Sequence, residues 1–177
     1  MNVTLNHITL STEKYSDEWH TILDAAIQND RRAQEIIYKK YQGKWLGVCL
    51  RYFSNRDDAL EALNHSFLKI FRSMEQCKPL KNFEKWAYRI VQNTAIDYAR
   101  KKMNRKDFVQ SDYVEDIAYI QGDILGKLEA EDVLLMLNEL PAASRVVFNL
   151  FAFEGYKHKE IAVRLEMSEG TSKWHVN

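Results

Sequence analysis

Apolar residues recur along most of this chain at steps of three and four, the spacing that gathers them on one face of an α-helix. Trp19, Ile22, Leu23, Ala26 and Ile27 trace a first short helix, with Asp17 placed to cap its N-terminus. Ala33, Ile36, Ile37, Tyr41, Trp45, Val48, Cys49 and Tyr52 form a second stripe over about 31–53. Ser54-Asn55 interrupts it, and Asp57 and Asp58 follow where a new helix N-terminus favours negative charge. The third helix carries Ala59, Leu60, Leu63, Phe67, Leu68, Ile70 and Phe71. Residues 73–82 contain Pro79 and lose the period, so they read as a loop. Phe83, Trp86, Ala87, Ile90, Val91, Ala95, Ile96 and Tyr98 restore it to about residue 105.

That fourth helix ends in Arg100, Lys101, Lys102, Arg105 and Lys106, after which Asp107, Asp112, Glu115, Asp116 and Asp123 reverse the sign. The acidic, weakly periodic stretch reads as a linker. Helical pattern resumes near Leu128 with Val133, Leu134, Leu137 and Leu140; Pro141 opens a further helix and Gly155 closes it. Two short helices follow. Lys157–Leu165 turns Ile161, Ala162 and Leu165 inward, and Ser168 can cap a last helix. A small residue such as Ala162 suits a point where two helices touch. The pair reads as a helix-turn-helix, with Thr171, Lys173, Trp174, His175 and Asn177 outward for a major groove and Lys157, His158 and Lys159 near phosphates. Spacing alone serves equally a helical hairpin that closes a core.

Composition narrows the classes. Two prolines and six glycines in 177 residues favour long helices, so the expected fold is all-α, in two small helical domains joined by an acidic linker. The boundaries are a tail over 1–16, a first domain over 17–106, the linker over 107–127 and a helix-turn-helix domain over 128–177. No apolar run reaches the roughly 18 residues that span a bilayer, and no leader-like start is visible, so a cytoplasmic protein without membrane insertion is expected. Cys49 and Cys77 read as reduced thiols. The net charge is zero, which leaves nucleic acid open because a local basic face is what neutralises phosphates. The five histidines show no ligand spacing, and there is neither a glycine-rich phosphate loop nor a nucleophile elbow. No catalytic residue, metal or cofactor is expected.

The run from Leu137 to Val176 resembles the promoter −35-binding domain of extracytoplasmic-function sigma factors. Leu140-Pro141, Arg145, Val147-Phe148, Glu154-Gly155, Glu160-Ile161-Ala162, Leu165, Ser168 and Glu169-Gly170-Thr171 fall at the family's positions. Upstream, Asp57-Asp58-Ala59 with Phe67-Leu68-Lys69-Ile70-Phe71 resembles its polymerase-binding helix, and Trp86 to Arg100 its −10 element helix. The resemblance implies a sigma factor that binds core RNA polymerase and promoter DNA, with an anti-sigma protein as a further partner. It implies clamp contacts by Asp58, Glu61, Asn64 and His65, although Asn64 and His65 depart from the family's usual Gln-Glu. It implies −10 contacts by Arg89, Asn93, Arg100 and Lys101, beside a pocket at the 73–83 loop that takes a flipped base. It implies −35 contacts by Lys157, His158, Thr171, Lys173, Trp174, His175 and Asn177. Trp86 and Tyr88 could stack on unpaired bases, but Trp86 shares the stripe of Phe83 and Val91 and belongs more naturally to the core. The sequence ends two turns into the last helix, where the family continues with basic residues; a truncation or a weakened −35 grip would follow. The alternative reading is a helix-turn-helix regulator that acts independently of core polymerase.

Overall fold

The computed structural model describes residues 18–103 and 124–177, and every regular element among them is helical. Asp17, the 1–16 tail and the greater part of the expected linker lie outside the described residues. Helix α1 covers 18–27 and ends at Asn29, whose φ of 63° turns the chain through the left-handed region that asparagine tolerates. Asp30 then caps α2 (Arg31–Leu50): its carboxylate accepts the Ala33 amide at 2.8 Å. Asn55 does the same for α3 (Arg56–Ser73), accepting the Asp57 amide at 2.7 Å, and the two aspartates of the first turn complement the helix dipole. Two single 3-10 turns, Met74–Gln76 and Leu80–Asn82, bridge to α4 (Phe83–Met103). This bridge lacks a period yet is anchored, because Met74 and Cys77 are buried.

Helices α2, α3 and α4 pack on one another, α3 most extensively on α4. Their shared core is aromatic: Tyr41 stacks on Trp45 with centroids 4.5 Å apart, and Phe67 and Phe83 close around Trp45. Trp45 and Phe83 are fully buried, each contributing about 1.5–3 kcal/mol from lost apolar exposure. Two residues of the expected stripes, Ile36 and Leu68, face solvent instead. A stripe drawn by spacing is wider than the strip a neighbouring helix can cover.

The second bundle starts with α5 (Ile124–Glu139), which opens ahead of the expected resumption at Leu128. Pro141 is the residue before α6 (Ala142–Phe148), and a π-helical turn, Asn149–Phe153, continues from it. Gly155 ends that turn at φ 71°, and the Tyr156 amide reaches back to the Leu150 carbonyl at 2.9 Å. In α7 (His158–Leu165) Ile161, Ala162 and Leu165 are buried, as their spacing required. Glu166 makes the tight turn at φ 55°, and the Ser168 hydroxyl accepts the Thr171 amide at 2.9 Å to start α8 (Glu169–Trp174). Helices α7 and α8 thus form the expected helix-turn-helix. The two bundles touch: α6 and α7 lie against α4, and Val146, Val147, Leu150, Ile161 and Leu165 belong to the same apolar cluster as the first bundle's core.

Candidate nucleic-acid and polymerase interfaces

Glu61, Asn64 and His65 are all exposed and lie at steps of three and four on the outer face of α3. Exposed Leu68 extends this face by one turn, which places an apolar side chain beside three polar ones. His65 rests on the Tyr98 ring at 5.1 Å, and burial with the charge of Glu61 pushes the Tyr98 phenol above its usual pKa. Asp58 stands apart from the other three. It is half-buried and forms an ion pair with Lys102 at the end of α4, tying the start of α3 to the neighbouring helix.

The four expected −10 residues divide into two pairs. Arg89 and Lys101 are exposed, with the Lys101 ammonium 5.9 Å from the Tyr98 ring. Asn93 and Arg100 instead meet the second bundle. The Arg164 guanidinium donates to Asn93 Oδ1 at 2.8 Å, and Arg100 donates to the Glu166 carboxylate at 2.8 Å. Trp86 is half-buried against Phe83, in keeping with a place at the core's edge.

The helix-turn-helix presents Lys157, Thr171, Lys173, Trp174 and Asn177 to solvent, with Trp174 71 % exposed. Lys173 pairs with Glu169 one turn earlier, at 2.7 Å. The two histidines depart from the outward placement expected of them. His158 stacks on Phe151 and shares a 3.0 Å hydrogen bond with the buried Ser172, which holds α7 to α8. His175 is half-buried and shares a 3.0 Å hydrogen bond with Ser144 of α6. Both rings are amphipathic, and here packing and a hydroxyl partner leave each of them half-buried.

Between the bundles lies a cluster that periodicity does not reveal. Glu154, its side chain only 7 % exposed, accepts from Arg51 at 2.9 Å, from the Tyr88 hydroxyl at 3.0 Å and from the Gln92 amide at 2.7 Å. Arg51 ends α2, and Tyr88 and Gln92 lie one turn apart on α4. A nearly buried carboxylate needs such donors, since burial without them would cost several kcal/mol. Burial first, and the Glu154 charge second, push the phenols of Tyr52 and Tyr88 upward. The sequence signals within this cluster are the Glu154-Gly155 pair and Tyr88, read as a stacking residue; Arg51 is singled out by none.

Among the described residues no group of three or more His, Cys, Asp or Glu could hold a metal ion, and no helix is long and apolar enough to cross a membrane. Residues 37–105 match the family model "Sigma-70 region 2", and residues 130–176 match "Sigma-70, region 4". The ECF RNA polymerase sigma-E factor of Haemophilus influenzae is 26 % identical over 170 residues, covering 90 % of this chain and 88 % of that protein. The RNA polymerase sigma-H factor of Pseudomonas aeruginosa is 26 % identical over 163 residues, covering 85 % and 83 %. A solved structure of CnrH in complex with the cytosolic domain of CnrY aligns with a TM-score of 0.43 at 21 % identity, covering 88 % of each chain.

Proposed function

The chain belongs to the sigma-70 family, in its extracytoplasmic-function branch, and on that premise we propose how its surfaces divide the work of promoter-specific initiation. It binds core RNA polymerase and directs it to promoter DNA to initiate transcription. The observation that carries this function is the presence of both modules in one chain and in order, region 2 over 37–105 and region 4 over 130–176.

In our reading, residues 17–106 form the polymerase- and −10-binding domain, 107–127 a linker and 128–177 the −35-binding domain. The exposed face of Glu61, Asn64, His65 and Leu68 contacts the polymerase, supported by the exposure of an apolar side chain beside three polar ones. Asp58 contributes there through its place at the head of α3. Arg89, Asn93, Arg100 and Lys101 face the −10 strands, and Lys157, Thr171, Lys173, Trp174 and Asn177 face the −35 groove. His158 and His175 act on DNA by holding the helix-turn-helix together. The protein works by binding rather than catalysis, in the cytoplasm where polymerase and DNA are. An anti-sigma protein is a fitting partner for the apolar groove between α5, α6 and α8, where Met136 and Trp174 are 69 % and 71 % exposed.

The test is transcription in vitro with purified core polymerase. Promoter-directed transcripts are expected from the full chain, and Glu61→Arg should weaken binding to core at least about tenfold, as reversal of a central interface charge does, without altering thermal stability. A protein that binds DNA well alone and ignores core polymerase would be a regulator of another kind.

A further inference from the structure

The Glu154 cluster is built almost wholly from the first bundle. Arg51, Tyr88 and Gln92 converge from two helices on one point, and the second bundle supplies the carboxylate they hold and the Phe153 ring, whose centroid lies 5.3 Å from the Arg51 guanidinium. Both carboxylate oxygens are engaged, Oε1 by Arg51 and Tyr88 and Oε2 by Gln92. Farther along α4 the pattern recurs: Arg100 holds Glu166 of the second bundle. Glu154 and Glu166 of the second bundle therefore sit on cationic positions of the first, and Arg164 donates to the side-chain oxygen of Asn93 between them.

Such a cleft has the chemistry of an oxyanion site. A guanidinium, a phenol and an amide all donate, and among the described residues the carboxylate paired with Arg51 comes from outside its own bundle. Were the bundles to part, the donors would remain fixed by α2 and α4 with their charge uncompensated. Gln92 and Asn93 both meet the second bundle, Gln92 through Glu154 and Asn93 through Arg164, so a nucleic-acid strand taking that bundle's place at Asn93 would run beside this cleft. We propose that Arg51, Tyr88 and Gln92 form a phosphodiester-binding site for the −10 strand, which Glu154 occupies here as an internal substitute. The proposal rests on the assignment of α4 to −10 DNA. Its consequence is that strand binding and the contact between the bundles compete.

A phosphate contact is independent of sequence, so the probe is a fluorescein-labelled, mixed-sequence, single-stranded DNA 12-mer, titrated with the full chain at several salt concentrations. Glu154→Ala should tighten binding about tenfold by removing the competitor. In that background Arg51→Gln should weaken binding at least fivefold and reduce the slope of log affinity against log salt by about 0.7, the value for one single-strand phosphate contact. Tyr88→Phe, which keeps the ring and removes the donor, should weaken binding two- to threefold with the slope unchanged. An unaltered affinity in Glu154→Ala, or an unaltered slope on adding Arg51→Gln, overturns the proposal. Arg89→Gln and Lys101→Gln separate the two levels. If they lower the slope while Arg51→Gln does not, this site alone is refuted; if none of the three does, the assignment of α4 to DNA fails with it.

Discussion

Arg145 is a charged residue employed as a structural one. It is buried, and its guanidinium donates to the carbonyls of Leu137 at 2.7 Å, Asn138 at 3.0 Å and Leu140 at 3.0 Å. They lie where α5 runs out of helical donors; the Leu137 carbonyl also accepts the Leu140 amide at 3.2 Å, and one planar fork reaches all three. Burial lowers its pKa, the usual cost of taking a cation from water. Arg145→Ala would take a donor from each of the three carbonyls and should destabilise the chain by about 3 kcal/mol in urea denaturation; Arg145→Lys should recover only a part of that, since an ammonium lacks the fork. A loss below about 0.5 kcal/mol would show that water replaces the side chain without penalty. The sequence marked Arg145 as a family position but could not say that it caps a helix 5 to 8 residues upstream. The same limit applies to His158 and His175, whose hydroxyl partners Ser172 and Ser144 no spacing reveals.

At the scale of the element, the helix-turn-helix depends on how α8 is held. Its own sequence, six residues from Glu169 to Trp174, is too short to be helical unaided. The Ser168 cap, the Ser172–His158 hydrogen bond and the Ser144–His175 hydrogen bond supply what length does not. His175 makes this arrangement sensitive to pH. Burial lowers its pKa below the ordinary 6.5, so below that value the unfolded chain binds more protons than the folded one. The contact is therefore fully held above pH 6.5 and weakens as pH falls from 6.5 through the folded pKa. Thermal unfolding followed by circular dichroism should give equal midpoints at pH 8 and pH 7, and a lower one at pH 5.5. His175→Asn should reduce the drop between pH 7 and pH 5.5; an undiminished drop would assign it to other groups.

For the molecule as a whole, the decisive feature is that the two bundles share one apolar cluster and an ionic seam. Val146 is buried where α6 meets Tyr52, Phe53, Ala99 and Met103 of the first bundle. A shared core should make unfolding cooperative across the chain, so calorimetry is expected to show one transition with matching calorimetric and van't Hoff enthalpies. Val146→Lys, which places a charge in that seam, should split it into two transitions while far-ultraviolet circular dichroism at 20 °C stays unchanged; two transitions in the unsubstituted chain would mean that the bundles are already independent. The pattern of apolar and polar residues was by itself enough to determine the helical class, the helix count of the first bundle and the pairing of two short helices at the end of the chain. Each of those depends on the 3.6-residue period or on local capping, which short stretches of chain carry within themselves. Tertiary structure alone decided that Leu68 is surface, that both histidines of the last two helices turn inward, and that Glu154 lies among Arg51, Tyr88 and Gln92. Those partners stand 62 to 103 residues from Glu154, and no local spacing records which distant side chain a folded chain will bring beside a carboxylate that burial obliges it to satisfy.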